Sequence, residues 1–392
     1  MKRICIVGAG NIGIAIAVDL SLKTKYQILL LTRQSTQKSF NLKKSLMGGG
    51  SSNFYGCYFQ RLDDNKTIQS NFVYVTHDAN LAFEWADIVI VTLPSFLIEN
   101  FVNKITPYNP KIILFVPGFG GKEMFSKPLL DKHITIAGLE RVPYIARLSS
   151  PQVVFASKKE IIACGVMNNK SEYICAILEE LFDIPCKAVD NYLHISFTPS
   201  NPILHTARLY ALFKDCTFAT TFPKQIKFYG SWNDFSSQIL IDLDKELEQI
   251  ARYFGVEFTT IRTHYNANSV ESMTKKITSI KSLNHIDSPL KRQDSAFVID
   301  KDSRYFIEDF PYGFCILRGF ADIAEIKTPT MDRVLRWYEN LFGLHYFDES
   351  GRFCGGDLAK SGIPQRFGLK TLRSIKQFYS SYKIGGGGRS TS

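Results

Sequence analysis

Short apolar, β-branched runs at residues 4–7, 28–31, 73–75, 88–92, 112–116 and 134–137 alternate with amphipathic stretches, and each run predicts a strand. Runs that are apolar throughout, spaced by helical stretches, suit a parallel sheet covered on both faces, so the first part of the chain reads as a doubly wound α/β unit. A further strand over 161–166 and a helix over 172–182 extend that pattern, and the domain boundary falls near residue 190. Beyond Thr198 the apolar spacing lengthens to three and four, which predicts helices over 203–213, 235–254, 270–280 and 331–342. The plainest carries Ile239, Leu243, Leu247, Ile250 and Phe254 among Asp242, Asp244, Lys245, Glu246 and Glu248, and stops before Gly255 as a helix C-cap requires. The fold class is α/β: an N-terminal doubly wound parallel sheet over 1–190, then a mainly α-helical C-terminal domain over 191–384. Residues 351–368 are too glycine-rich for a core helix and read as a covering loop, and 385–392 as a flexible tail or cloning remnant.

Composition narrows the class. With 392 residues and 45% hydrophobic content, the chain can bury two cores. No uninterrupted apolar run is long enough to span a bilayer and the N-terminus lacks a signal-peptide pattern, so a soluble, cytoplasmic protein with no membrane partner is expected. The eight cysteines form no CxxC pair and sit mostly among apolar neighbours, as free thiols do in a reducing compartment. The seven histidines offer no ligand spacing either, and no metal is expected. The formal charge of +10 is spread along the chain without a compact basic tract or RNA motif, so nucleic acid is not an expected partner; anionic small molecules and a solvated surface explain the excess equally well. No signature separates a monomer from a homodimer.

The first candidate site follows the first strand. Residues 4–7 run into Gly8-Ala9-Gly10-Asn11-Ile12-Gly13 and then a helical pattern over 14–22, which is GxGxxG in its working context. Gly8 permits the tight turn, Gly10 lets the backbone approach a pyrophosphate, Gly13 lets helix and strand pack closely, and the helix start at Asn11 and Ile12 presents free N–H groups to phosphates. The unit is a Rossmann-type nicotinamide dinucleotide site, and the chain an expected oxidoreductase. Where an NAD-selective protein presents Asp or Glu at the end of the second strand, this chain has Thr32-Arg33-Gln34. Arg33, helped by Thr32, Ser35 or Thr36, suits a 2′-phosphate, so NADP(H) is preferred with NAD(H) possible; the alternative is a surface arginine at a strand end. Two later strand ends, Thr92-Leu93-Pro94-Ser95 and Pro117-Gly118-Phe119-Gly120-Gly121, fall where loops face a ligand, with Pro94 the cofactor candidate, although ordinary turn chemistry explains the same glycines.

Hydride transfer to a carbonyl or imine needs a proton donor. Ser200-Asn201-Pro202-Ile203-Leu204-His205 opens the first helix after the sheet domain, with Pro202 suited to the first turn and His205 one turn on. Imidazole is the usual proton shuttle, but a lone helical histidine is more often structural. Two further segments combine guanidinium groups, aromatics and a turn: Arg304-Tyr305-Phe306-Ile307-Glu308-Asp309-Phe310-Pro311-Tyr312-Gly313, and Arg141-Val142-Pro143-Tyr144-Ile145-Ala146-Arg147. Arginine matches a substrate carboxylate and an aspartate can orient an imidazole, while surface arginines explain the same composition.

The ordered set GAGNIG, PYIAR, NPILH at 201–205, RYFIEDFPYG at 304–313 and TPTMD at 328–332 resembles the opine dehydrogenase family, typified by octopine and nopaline dehydrogenases, over nearly the whole chain to about residue 370. The resemblance implies that His205 is the general acid and base, Asp309 its orienting partner and Arg304 the clamp for a 2-oxo acid carboxylate. It further implies reductive condensation of a 2-oxo acid with the amine of an amino acid, giving a secondary-amine dicarboxylate. Asn201 and Tyr144 are the remaining candidate substrate ligands. After His205 the chain reads Thr206-Ala207-Arg208-Leu209-Tyr210, where family members often carry Pro and Gly; Arg208 is an extra cation that binds a second carboxylate or faces water. Two rival readings stand: a reductase of the ketopantoate reductase type, relying on a lysine such as Lys214, Lys224 or Lys227, and a non-catalytic dinucleotide sensor.

Overall fold

The computed structural model describes residues 1–46, 53–63, 66–150, 153–168 and 170–381, so the tail over 385–392 lies outside the described residues. The chain divides into two compact units, one of Met1–Ser196 with the described residues from Phe378, the other of Phe197–Gln377. The division falls at 196/197 rather than 190, and the chain rejoins the first unit ahead of residue 384. What ties the returning segment down is buried: the Tyr379 hydroxyl and the Ser196 hydroxyl both donate to Glu123 Oε1, at 2.7 and 2.6 Å. Glu123 is fully buried, and that burial pushes its carboxyl upward.

Within the first unit, six parallel strands run in the order Thr135–Leu139, Ile112–Phe115, Ile88–Val91, Lys2–Val7, Tyr26–Leu31, Val73–Thr76. Ile88–Val91 reads IVIV and is buried along its whole length, as a strand covered on both faces must be. The expected strand over 161–166 is Ile162–Val166; it joins the edge antiparallel to Thr135–Leu139 and is followed by helix Ser171–Phe182 and the outermost strand Cys186–Ala188. A hairpin of Lys43–Leu46 and Asn53–Cys57 extends the opposite edge antiparallel to Val73–Thr76.

A second sheet, of Tyr144–Ser150, Val153–Lys158, Gln60–Asp63 and Lys66–Gln69, packs against helix Asn11–Ser21. Its strands are short and interrupted by polar residues, so periodicity in a single sequence does not separate them from turns. An ionic cluster fastens the two layers: buried Asp19 on the helix pairs with Arg61 at 2.5 Å and Lys158 at 3.2 Å and accepts from the Tyr144 hydroxyl at 2.6 Å.

The second unit is built on helices Asn201–Phe213, Asp234–Tyr253, Val270–Thr278, Cys315–Ile323 and Pro329–Phe342. Helix Asp234–Tyr253 packs against Asn201–Phe213, Val270–Thr278 and Pro329–Phe342, burying the apolar stripe that includes Ile239, Leu243, Leu247 and Ile250. A small antiparallel sheet of Thr221–Phe222, Ala296–Ile299 and Leu290–Gln293 accompanies them. The glycine-rich 351–368 segment holds two short 3₁₀ turns and buries Phe353, Leu358 and Ile363, so it is a packed part of this unit. Among the described residues, no helix is long and apolar enough to cross a membrane.

Candidate active site

Two motifs of the second unit meet because one lacks a side chain. A Cβ on Gly313 would lie 2.9 Å from Pro202 Cγ, so the turn over 309–314 lies directly on the first turn of helix Asn201–Phe213. That turn is a single π-type loop, closed by Phe314 N–H donating to Asp309 C=O at 2.8 Å. Pro202 lacks the N–H that a first helical turn leaves unpaired, and His205 follows three residues on, along the same helix surface.

The result is a buried triad. Asp309 Oδ2 lies 2.7 Å from His205 Nδ1, and the Tyr229 hydroxyl lies 2.9 Å from His205 Nε2. Side-chain exposures of 12% for His205 and 10% for Asp309 leave the pair accessible while largely desolvated. Burial pushes the Asp309 carboxyl upward, and the adjacent imidazole pulls it the other way. An ionised carboxylate only accepts, so Nδ1 carries the proton and the lone pair of a neutral ring sits on Nε2, where the Tyr229 O–H donates. Phe228 and Tyr305 wall the imidazole with ring centroids at 5.6 and 4.6 Å. Burial raises the Tyr229 phenol well above its ordinary range, so its proton is not lost to water near neutrality.

Tyr229 was not among the residues singled out from the sequence. It lies in Lys227-Phe228-Tyr229-Gly230-Ser231-Trp232, which has no motif character; only the fold brings it to His205.

The other expected substrate ligands divide. Asn201 is exposed at the start of the helix, four residues before His205 and so on the same face. Arg304 is 68% exposed and ion-paired with Glu308 one turn along, leaving it open to a further anion. Arg208 is corrected from a substrate cation to an internal fastener. It is 1% exposed, and its guanidinium donates to Phe228 C=O at 2.7 Å, Ser231 C=O at 2.6 Å and Ser236 Oγ at 3.0 Å. Its fork thus clamps the segment carrying Tyr229 onto the helix carrying His205, and burial without a carboxylate pushes its pKa down to about 10. Tyr144 is corrected as well: it is 1% exposed and spends its hydroxyl on Asp19 inside the first unit. The lysines of the rival reductase reading are engaged or exposed: Lys214 pairs with Asp215, Lys227 with Asp287, and Lys224 faces solvent.

In the first unit the glycine-rich turn fits a dinucleotide. Gly8 adopts φ +111°, a conformation side chains disfavour, and a Cβ on Gly13 would lie 1.8 Å from Gly8 C=O. A Cβ on Gly10, by contrast, would project into open space at the start of helix Asn11–Ser21, the room a pyrophosphate needs above the N–H groups of Asn11, Ile12 and Gly13. Asn11 Oδ1 accepts from Leu148 N–H at 2.9 Å, so that side chain braces the turn. Thr92 Oγ1 donates to Val7 C=O at 3.1 Å, and Pro94 opens the short turn Ser95–Leu97 at the neighbouring strand end. Gly118 serves packing, since its Cβ would strike Gly138 Cα at 2.7 Å. Thr32 N–H is held by Thr76 C=O, and exposed Arg33 has no side-chain partner among the described residues.

Comparison with known proteins agrees with this division. Residues 188–342 match the family described as NAD/NADP octopine/nopaline dehydrogenase, alpha-helical domain, and residues 3–115 match NADP oxidoreductase coenzyme F420-dependent. Tauropine dehydrogenase of Arabella iricolor is 24% identical over 408 residues, covering 96% of this chain and all of that one. Octopine dehydrogenase of Pecten maximus is 23% identical over 332 residues, covering 79% of this chain and 83% of its own. A structure of octopine dehydrogenase with NADH and pyruvate shares the fold with a TM-score of 0.78 at 21% identity, covering 96% of this chain and 98% of that one.

Proposed function

We propose that this chain is a member of the opine dehydrogenase family, a nicotinamide-dependent oxidoreductase that condenses a 2-oxo acid with the amine of an amino acid and reduces the resulting imine to a secondary-amine dicarboxylate. The observation that carries this reading is His205, held on one nitrogen by Asp309 and on the other by Tyr229. When bound, the reduced dinucleotide supplies the hydride; Gly8, Gly10, Asn11, Ile12 and Gly13 would hold its pyrophosphate, with Pro94 at the adjoining strand end.

The residues of the second unit manage protons and charge. Forming the imine expels the carbonyl oxygen as water, which requires a proton on that oxygen and removal of protons from the ammonium nitrogen. His205 Nε2 does both in two successive relays, each taking one proton from the nitrogen and passing it to the oxygen, so that the ammonium and carbonyl become an iminium and water. Asp309 keeps the ring in the tautomer with Nε2 free and stabilises its charged form; it is a positioning residue. Tyr229 stays protonated and saturates Nε2 until substrate displaces it. Arg304, with Asn201 on the histidine's helix face, takes the oxo-acid carboxylate, whose charge a guanidinium fork matches through two oxygens.

Consumption of NADH or NADPH, followed by loss of nicotinamide absorbance, tests the reading. Oxidation that requires both an oxo acid such as pyruvate and a pooled set of amino acids supports it; oxidation with the oxo acid alone overturns it in favour of simple carbonyl reduction. We further propose that NADP(H) is the preferred cofactor, because Arg33, exposed and without a side-chain partner among the described residues, stands where a carboxylate would otherwise select NAD. Arg33→Ala is expected to raise the KM for NADPH about tenfold while leaving that for NADH nearly unchanged, since only the former loses a charge-assisted contact. Equal effects on the two cofactors would refute the preference.

A further inference from the structure

Within the first unit, at one edge of the large sheet, three cysteines from three successive elements converge: Cys164 on strand Ile162–Val166, Cys175 on helix Ser171–Phe182 and Cys186 on the edge strand Cys186–Ala188. The Cys186 thiol donates to Cys175 Sγ at 3.3 Å. Cys164 is wholly buried, Cys175 nearly so, and Cys186 is partly open to solvent. We propose that Cys175 and Cys186 form a reversible peroxide-sensitive dithiol that closes to an intramolecular disulfide.

The geometry favours that pair over any other. Closing a disulfide from 3.3 Å requires the sulfurs to approach by about 1.3 Å. The strand bearing Cys186 is the outermost of the sheet, paired with Ile162–Val166, and Cys186 N–H donates to Glu179 Oε1 at 2.9 Å, which holds Cys186 beside the helix that carries Cys175. Cys164 is held inside the sheet, and hydrogen bonding to the Cys175 and Cys186 thiols, together with burial, keeps it protonated. Cys175 is the nucleophile: the thiols of Cys164 and Cys186 stabilise its thiolate against the cost of burial and bring its pKa down to about 7.

The chemistry balances with a hydroperoxide as oxidant. The Cys175 thiolate attacks one peroxide oxygen, the O–O bond breaks, and with a proton from water the leaving oxygen departs as water or an alcohol, leaving a sulfenic acid. Cys186 sulfur then attacks the Cys175 sulfur, the S–O bond breaks, and hydroxide leaves with the thiol proton as a second water. Two thiols lose two electrons and the peroxide gains them. Cys354 is the natural control, since it is exposed but hydrogen-bonded to Asp348, which holds its thiol protonated.

The test is hydrogen peroxide added to the whole protein, followed by intact mass, alkylation of remaining thiols and peptide mapping. The expected result is loss of two hydrogens, a single Cys175–Cys186 linkage, reversal by dithiothreitol, and a rate that rises with pH through about 7. Cys186→Ser is expected to remove the linkage and leave a sulfenic acid on Cys175 that dimedone traps, with dinucleotide binding in the reduced protein unchanged. Persistence of both thiols, a linkage through Cys164 or Cys354, or direct passage of Cys175 to sulfinic acid in the unmutated protein would each overturn the proposal.

Discussion

Replacement of His205 by alanine is expected to lower turnover in the condensation reaction by about 10²-fold or more while dinucleotide affinity stays near its original value, because positioned acid–base help is typically worth that much. The separation follows from where the groups lie: His205 belongs to the second unit and the glycine-rich turn to the first. The substitution also strands Asp309, which is buried and has the imidazole as its partner at 2.7 Å, so some loss of stability is expected alongside. Asp309→Asn separates the two effects. It keeps the volume but replaces an acceptor-only carboxylate with a neutral amide that can also donate, so the tautomer is no longer fixed and turnover falls steeply with little change in the melting transition. Steady-state kinetics with thermal denaturation distinguishes the outcomes, and unchanged turnover in His205→Ala would remove the histidine from the mechanism.

The second large effect lies in the first unit. Gly13→Ala places a methyl carbon 1.8 Å from the Gly8 carbonyl oxygen, inside any permissible contact, so the turn and the helix must separate. Overpacking of this kind typically costs about 1–3 kcal/mol. The displaced backbone carries the N–H groups offered to the pyrophosphate, so dinucleotide affinity is expected to fall about tenfold or more, together with a lower melting temperature. Gly10→Ala is the instructive companion: its methyl meets nothing in the protein, so the fold should be unaffected and any loss should appear in dinucleotide binding alone. Fluorescence titration with NADH, alongside thermal melts of both variants, checks the pair. Undiminished NADH binding by Gly13→Ala would mean that the turn does not hold the pyrophosphate.

Legibility differed between the two units for a physical reason. The central parallel strands are apolar along their length because both faces are covered, and that requirement is written into consecutive residues such as Ile88, Val89, Ile90 and Val91. The four-stranded sheet has no such signal: Lys66, Thr67 and Ile68 are polar or half-exposed, and Arg61, Tyr144 and Lys158 fasten that sheet to Asp19 on the helix across sequence separations no local pattern records. The same holds for candidate ligands. Tyr144 and Arg208 carry the right chemistry for a substrate site, but side-chain type does not reveal whether donors are already engaged inside the protein.

By itself the sequence determined the strand–turn–helix of the dinucleotide site, since a GxGxxG turn needs only contiguous residues and the absence of three side chains. It also determined the apolar stripe of the long helix, whereas His205, Asp309 and Arg304 came forward as a set only through the resemblance to opine dehydrogenases. Tertiary structure alone decided that Gly313 seats on Pro202, which closes the His205–Asp309 pair, that Tyr229 completes it, and that Arg208 clamps the segment bearing that tyrosine. These are contacts between residues 20 to 111 positions apart, fixed by close packing and by the need of buried polar groups for partners, which no run of neighbouring residues encodes.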